Sequence, residues 1–421
     1  MTAAAEDGNR MQVVRLTAEL AVEATRAAQT LQSTRLLKKM GGMGQLYYVT
    51  RVVDKLNRDL EPRIEKGKAQ KIQIDEDLAL ALAEAKTPKE LQTAADDLLY
   101  DIAQQMPVTW LDKWNAWRYF AMLANPRTHF RNIAGNAVFV PAVRLKSAIK
   151  TGLEAAIIPH VKEAERTSSL TASAENKAFA AKDFEELKEF LQSGGKMNPE
   201  SKLRDMRRIF NTGWLETARK FFGWALDAED VIFLRRHYIY AMSHWLESNG
   251  LKGEDVDLKT LERARAYAAE EAWKATYRDA SAAATAIARA GKVPGLNVVV
   301  EGLMPFKKTP INVFKRGVEY SPVGLLKALS YGFVQFKRKK ITVNELLDGI
   351  AAGLSGTAIT ILGMVLRNLG VLIGGFNDDR EDELKRLTGE QEYAIRFGDI
   401  SCTVDWLAPV AMPLFVGAEL G

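Results

Sequence analysis

Three side chains that could do acid–base or metal chemistry recur at seven-residue intervals in the middle of the chain. Asp230, His237 and His244 lie in a stretch that predicts a helix, where two turns separate successive members by roughly 10 Å. That separation is too large for one metal ion unless another element supplies ligands. The spacing favours ordinary core or interface histidines, and a hydrolytic site would need a further carboxylate. The single cysteine, Cys402, has no nearby histidine and is typical of a small buried apolar residue.

Motifs that bind nucleotides or hydrolyse bonds are absent from the sequence. No Walker A, G-x-G-x-x-G, H-E-x-x-H or G-x-S-x-G pattern occurs in the 421 residues. One cysteine excludes an intramolecular disulfide and a multi-cysteine metal site, and four histidines leave little material for histidine ligation. We therefore predict no enzymatic activity, no metal and no cofactor.

Charge is distributed unevenly along the chain, although the net charge is only +5. Residues 301–341 carry nine Lys or Arg against two Glu, a balance of +7, whereas residues 342–421 carry five basic and twelve acidic residues, a balance of −7. A basic block of this kind indicates contact with a polyanion or a membrane surface, and a solvated basic face is the alternative.

The densest mixture of aromatic and basic residues is Thr109–Arg131. Trp110, Trp114 and Trp117 lie at i, i+4 and i+7, which favours the buried stripe of a helix. The alternative is a platform on which nucleic-acid bases stack, with cations that neutralise the phosphates. The candidate contacts with nucleic acid or an anionic surface in this segment are Arg127, His129 and Arg131.

A second basic cluster spans Met304–Tyr331 and continues to Lys340. Two expected helix starts, Thr309-Pro310 and Ser321-Pro322, lie within it, so first-turn amides could help to bind a headgroup or a phosphate. A solvated basic face again is the alternative. The candidate contacts with an anionic surface or nucleic acid are Lys307, Lys308, Lys315, Arg316, Lys337, Arg338, Lys339 and Lys340.

Gly349–Leu366 is an eighteen-residue run without a charge, which is borderline for a membrane span of roughly 20 residues. The preceding Lys337–Lys340 run favours a bilayer interpretation, whereas Arg367 favours a buried core helix. Gly349, Gly353 and Gly356 predict a close helix–helix contact. Trp406 begins a shorter apolar run and is a further candidate for packing or membrane contact.

Helical patterns dominate, and we predict an all-α fold, an extended multi-helix assembly with long amphipathic helices and apolar C-terminal helices. Glu262–Ala290 has no Gly or Pro and predicts one uninterrupted helix. Leu296–Val300 is the only β-branched run and is too short to predict a sheet. Five dipeptides resemble capped helix starts: Thr87-Pro88, Asn125-Pro126, Asn198-Pro199, Thr309-Pro310 and Ser321-Pro322. The expected regions are an N-terminal helical region (1–108), a central helical domain (109–300) and a basic, then apolar and acidic, C-terminal region (301–421).

Several segments, in order along the chain, resemble a known group of proteins. They are KMGGMGQLYYVTRVVDKLNRDL at Lys39–Leu60, MLANPRTHFRNIAGNAV within Trp110–Val138, FFGWALDAEDVIFLRRHYIYA at Phe221–Ala241, EEAWKATYRDA at Glu270–Ala280, MPFKKTPINVFKRGVEYSPVGLL at Met304–Leu326 and DWLAPVAMPLFVGAEL at Asp405–Leu420. The chain thus resembles helical regions of the large polyvalent proteins of tailed bacteriophages, prophages and conjugative elements. The NPRTHxRN and PFxKTPxN strings are the distinctive ones.

This resemblance implies a non-enzymatic structural or virion-associated protein, delivered with DNA and in contact with membrane. It implies no catalytic residues, since enzymatic domains lie elsewhere in those long chains. The expected partners are other virion or mobile-element proteins, with DNA and an anionic membrane as further candidates, in an oligomeric assembly. A nucleic-acid-binding helical module is the alternative function. The expected location is the virion or the bacterial cytoplasm, with the host inner membrane as a further site, because the N-terminus lacks a secretory signal pattern.

Overall fold

The computed structural model describes residues 41–161, 164–194, 203, 206–279, 308–376, 387, 389–398 and 400–421. These residues are predominantly helical, which confirms the all-α prediction. The helices are α1 (Gly42–Ile64), α2 (Glu76–Glu84), α3 (Pro88–Gln105), α4 (Trp110–Leu123), α5 (Pro126–Ile157), α6 (Ala174–Gln192), α7 (Gly213–Ser248), α8 (Leu258–Ala275), α9 (Lys308–Glu319), α10 (Pro322–Lys327), α11 (Phe333–Lys337), α12 (Val343–Asn368) and α13 (Ala411–Leu420). A π-helical turn, Ala328–Gly332, joins α10 to α11, and two short 3-10 turns cover Ile158–His160 and Gly253–Asp255.

Capping residues explain several of the helix starts. Thr87 and Glu90 form a capping box at α3, the Asn125 side chain accepts from the Arg127 amide at α5, and Ser321 accepts from the Gly324 amide at α10. These three starts confirm the sequence prediction. Helix α9 already includes Lys308, so Thr309 is not its N-cap; the residues immediately before Lys308 lie outside the described residues. The expected start at Asn198-Pro199 lies outside the described residues.

The helix expected over Glu262–Ala290 is shorter than predicted. It ends at Ala275, and Tyr277 has a φ of 59°, which an α-helix cannot accommodate. The Asn312 side-chain amide donates to the carbonyls of Tyr277 (2.8 Å) and Asp279 (2.9 Å), so tertiary hydrogen bonds stabilise the turn in place of the helix. Residues 280–290 and the β-branched run Leu296–Val300 lie outside the described residues.

A small sheet that the sequence did not predict lies between α12 and α13. Strands β1 (Leu372–Ile373), β2 (Ala394–Phe397) and β3 (Ile400–Thr403) pair antiparallel in the order β1-β2-β3. Strands of two to four residues are too short for a period-2 pattern to be distinguished from a loop. Cys402 lies on β3 and is exposed, so the expectation of a buried cysteine was wrong.

The chain divides into two compact units that are not consecutive in sequence. The first contains described residues up to Ala121 together with Glu189–Gly223, and the second contains Met122–Lys188 and Trp224–Gly421. This division differs from the three consecutive regions expected from the sequence.

In the first unit, α1, α2 and α3 pack around the buried side chains of Leu46, Val53, Leu82, Leu98 and Ile102. Gly42 is essential to that packing, because a Cβ there would collide with the Leu82 carbonyl.

In the second unit, α12 is the central helix, in contact with α5, α10 and α13. Phe139, Tyr277, Tyr320 and Ile359 form its main apolar core, and Leu372, Ala411, Phe415 and Ala418 form a smaller one beside the sheet. A buried ion pair also joins α6 to α8, since Arg265 donates to Asp183, which in turn accepts from the Tyr238 hydroxyl of α7 (2.6 Å).

Candidate functional site

The glycine motif of α12 makes close helix contacts. A Cβ at Gly353 would collide with the Leu325 backbone, and one at Gly356 with the backbone of Tyr320 and Ser321. Gly363 faces the Leu414 carbonyl in the same way, whereas a Cβ at Gly349 would meet only the Ala328 side chain at 3.4 Å. The predicted close approach is therefore confirmed at Gly353 and Gly356. The partners are α10 and the turn before it, which run antiparallel to α12.

Helices α10 and α11 present apolar side chains to solvent. Their inward stripe consists of small or partly buried residues, including Gly324, Ala328 and Gly332. Six large apolar side chains of this segment are 42% to 67% exposed, and one of them, Tyr331, also lines a cavity of about 310 Å³. These residues are Val323, Leu326, Leu329, Tyr331, Phe333 and Val334. This arrangement is the reverse of the usual amphipathic helix, in which the exposed side is polar.

Four consecutive cations follow this apolar side. Lys337, Arg338, Lys339 and Lys340 are all exposed, and none forms an ion pair with another described residue. The Lys337 ammonium lies 4.7 Å from the centre of the Phe333 ring, and Lys339 has a φ of 54° in the turn that ends the segment. We call the six apolar residues of α10, the π-helical turn and α11, together with the four cations, the apolar–basic surface.

Other predicted contacts in the same region are engaged inside the protein. Arg316 is buried and pairs with Asp279 (2.5 Å) and with Glu319, and Lys315 pairs with Asp279 (2.9 Å). Arg316 is buried with these carboxylates, which argues against its predicted contact with an anionic surface. Lys315 pairs with Asp279, but its side chain is 39% exposed, so its predicted contact stays a prediction. Lys307 lies outside the described residues, and for Lys308 only its position in α9 is described.

The aromatic segment around α4 also differs from expectation. Trp110, Trp114 and Trp117 form a stripe, but they are 75%, 44% and 50% exposed, so the prediction of a buried stripe was wrong. The opposite side of α4 faces the protein instead. On that side Ala116 is buried, and Asp112 accepts from the Thr109 amide and pairs with Arg207 (3.1 Å). The three rings stack on one another, with centroids 6.0 and 5.6 Å apart.

The polar candidates at the start of α5 have separate roles. His129 bonds through Nδ1 to Glu229 Oε1 (2.6 Å) and through Nε2 to the Leu123 carbonyl (2.7 Å), so it is not available for an external contact, contrary to the prediction. Arg127 is exposed. The Arg131 guanidinium lies 5.7 Å from the centre of the Trp406 ring, and Trp406 donates to the Thr403 carbonyl (2.7 Å). Trp406 thus packs within the second unit.

The histidines and Asp230 do not converge. His237 is buried on α7, where burial, assisted by Arg144 and Arg236, lowers its pKa to about 3. His244 donates from Nδ1 to the Ser169 carbonyl (2.6 Å), and Asp230 pairs with Arg278 (2.8 Å). The interpretation as core histidines is confirmed. Within the described residues, no group of three His, Cys, Asp or Glu side chains is placed to hold a metal ion.

A buried electrostatic network was missed by the sequence reasoning. Lys146 and Lys150 of α5 contact Asp348 of α12 at 2.8 and 3.1 Å. Lys146 also contacts Glu271 of α8 (2.8 Å), and Lys274 contacts Glu271 (3.0 Å). Five charges from three helices therefore meet in the core. The signal in the sequence was the i, i+4, i+8 spacing of Lys146, Lys150 and Glu154, all of which are buried on one side of α5.

The network keeps its groups charged. Burial alone would raise the pKa of Asp348 and Glu271, but the surrounding lysines outweigh burial and hold the Asp348 pKa well below its usual value and that of Glu271 at about 2. For Lys146, burial lowers the pKa, and the two carboxylates more than reverse that effect. A cavity of about 310 Å³ adjoins the network, and its lining includes both signs of charge, among them Lys327 and Glu345.

Comparison of the chain with models of known protein families, with curated proteins and with solved structures finds no match. By length and composition, α12 is the one helix among the described residues that could cross a membrane, and 44% of its most apolar window is buried in the protein. A core helix of a soluble protein meets the same criterion.

Proposed function

We propose that this protein is a non-enzymatic structural component of a phage or mobile element that docks on an anionic membrane through its apolar–basic surface. One observation carries the docking proposal: the exposed apolar side chains of the apolar–basic surface are followed directly by four cations that form no ion pair with a described residue. The assignment to a phage or mobile element rests on the sequence resemblance alone.

The chemistry of a membrane interface fits this surface. Aliphatic and aromatic side chains such as Leu326 and Phe333 would enter the boundary between headgroups and acyl chains. Each Lys or Arg close to an anionic leaflet contributes about 1 kcal/mol of attraction. Contact of this kind needs no spanning segment, so α12 remains in the core. The expectations about virion partners, oligomeric state and location stay predictions.

The docking proposal is tested by co-sedimentation of the full chain with vesicles of phosphatidylcholine, with and without phosphatidylglycerol. We expect binding only to the anionic vesicles. The double variant Arg338→Glu/Lys340→Glu tests the cations, and Leu326→Ser/Leu329→Ser tests the apolar side; each should weaken binding roughly tenfold or more. Leu258→Ser, which alters an exposed leucine on α8, is the control and should bind normally. Absence of wild-type binding to anionic vesicles at low salt would refute the proposal.

A nucleic-acid-binding module is the second candidate, and the exposure of the stacked tryptophans on α4 favours it. Exposed indoles are the groups on which unpaired bases stack. Quenching of tryptophan fluorescence by oligothymidylate, reduced in Trp114→Ala, would support this function. Unchanged fluorescence on addition of the oligonucleotide would exclude binding at this stripe.

A further inference from the structure

A cleft of about 950 Å³ lies in the second unit and is lined by residues between Arg144 and His244, none of which belongs to the apolar–basic surface. It is formed by α5, the N-terminal turn of α6, α7 and the loop 169–172. Four cations line it, Arg144, Lys177, Arg235 and Arg236, and none of its described lining residues carries a carboxylate. None of these four was predicted from the sequence, although the Arg235–Arg236 doublet lies between two apolar stretches of α7.

Three of the four cations lack a carboxylate partner among the described residues. Arg235 pairs with Glu185 (3.0 Å) at the surface, whereas Arg144, Lys177 and Arg236 form no such pair. This contrasts with the electrostatic network, in which every lysine meets a carboxylate. The cleft therefore has uncompensated positive charge on three different helices that face one space.

Burial and the positive charge of the cleft together lower the pKa of the neighbouring groups His244 and Arg144. Burial, and after it Arg144 and Lys177, lowers the pKa of His244, although its bond to Ser169 acts in the opposite direction. Burial and the proximity of Arg236 lower the pKa of Arg144 itself. The Arg144 guanidinium lies 3.4 Å from the centre of the Tyr240 ring, a cation–π contact that fixes it at the wall of the cleft.

The rim of the cleft is apolar. Leu170 and Ile232 are 69% and 65% exposed, and Ile239 lines the cleft between the charged positions. A volume of this size is at the upper end of the range for small-ligand sites, roughly 300–1,000 Å³, and is sufficient for a nucleotide. Uncompensated guanidinium and ammonium groups select phosphate, since both make charge-assisted hydrogen bonds to its oxygens.

We infer that this cleft binds a phosphorylated organic ligand of nucleotide size, with Arg144, Lys177 and Arg236 on its phosphate groups and Leu170 and Ile232 against its organic part. Three unpaired cations suit a ligand with several closely spaced negative charges, such as a nucleoside triphosphate. The inference is independent of membrane docking, because no residue of the apolar–basic surface lines the cleft.

The test is calorimetric titration of the full chain with ATP, inorganic tripolyphosphate and oligothymidylate in magnesium-free buffer. We expect saturable binding of ATP, with tripolyphosphate weaker because it cannot contact the rim. The double variant Arg236→Gln/Lys177→Gln removes two exposed cations and should weaken ATP binding by about tenfold per charge. Its matched control, Lys182→Gln/Lys259→Gln, removes the same charge from exposed positions outside the cleft and should bind as the wild type does.

Four results would overturn the inference. One is no saturable binding of ATP to a wild-type protein whose circular dichroism shows intact helices. Another is equal loss of binding in the cleft variant and in the control, which would indicate general charge attraction. Equal affinity for ATP and tripolyphosphate would refute the role of the apolar rim. Binding of oligothymidylate without binding of ATP, lost in the cleft variant and kept in the control, would assign the cleft to a polymer instead.

Discussion

At the scale of single residues, Asp348 is the carboxylate that joins two buried lysines of α5 to α12. Its carboxylate is shared by Lys146 and Lys150; Lys146 also contacts Glu271, whereas Asp348 is the one carboxylate that Lys150 contacts among the described residues. Replacement of one member of a buried ion pair is far more damaging than replacement of the whole pair, because it strands the opposite charge. The loss of stability on replacement of Asp348 therefore depends on the lysine charge that remains buried without a partner.

Asp348→Asn is expected to reduce the free energy of unfolding by about 3–5 kcal/mol. Urea denaturation followed by circular dichroism measures the change. The control is Glu175→Gln, which breaks an exposed pair with Lys252 and should leave the urea midpoint nearly unchanged. A loss for Asp348→Asn no larger than that of the control would show that the network contributes little.

His237 provides a pH-dependent contribution to stability. Its pKa is about 3 in the folded protein and about 6.5 in the unfolded chain, so the unfolded chain binds the proton first as the pH falls. Stability is therefore complete above pH 6.5 and is lost as the pH falls from there toward 3. Arg144, Arg236 and Lys146 oppose protonation in the fold, and Glu271 favours it.

Between pH 7 and pH 5, wild-type protein is expected to lose about 2 kcal/mol more stability than His237→Gln. Denaturation curves at the two pH values measure the difference. In the wild type, the His237 ring should also stay neutral at pH 5 in a nuclear magnetic resonance titration. A midpoint of titration near 6.5 would contradict the proposed burial.

At the scale of elements, the glycines of α12 set how closely helices approach. Gly356→Ala places a methyl group against the Tyr320 backbone and is expected to destabilise the protein by about 1–3 kcal/mol. Gly152→Ala is the matched control, because Gly152 also lies inside a long helix but has nothing within 4 Å of the added Cβ. That substitution should stabilise by about 0.5–1 kcal/mol. Thermal unfolding measures the stability change in both variants. Equal changes in the two would be inconsistent with close packing at Gly356.

Local sequence signals predicted the helical class and three helix starts, but not the end of the helix at Ala275 or which side of each helix is buried. Thr87, Asn125 and Ser321 act on amides two or three residues away, so the sequence alone predicts them. The tryptophan stripe of α4 has helical spacing, but spacing does not tell which side of a helix is buried. Asp112 and Arg207, 95 positions apart, determine that orientation. The pairing of Lys146 with Asp348 is similarly long-range, and a count of charges cannot show it.

At the scale of the whole molecule, charge and apolar exposure should act together in membrane binding. We expect affinity for anionic vesicles to fall as salt rises from 0.05 to about 0.5 M, where the screening length is only a few ångströms. A residual affinity should remain, because insertion of Leu326 and its neighbours is not screened. Flotation of vesicles across a salt series measures both parts. Complete loss at high salt would indicate purely electrostatic adsorption.

The location of Asp348 near the start of α12 has a consequence for this helix as a whole. Transfer of α12 into lipid would separate Asp348 from Lys146 and Lys150, and would open the seams at Gly356 and Gly363. Lys150 would then lose its carboxylate partner in the core, and Lys146 would keep only Glu271 of α8. The ion pairs of Asp348 thus retain the hydrophobic helix α12 in the helical bundle. A change that releases α12 must first neutralise or hydrate the lysines that Asp348 contacts.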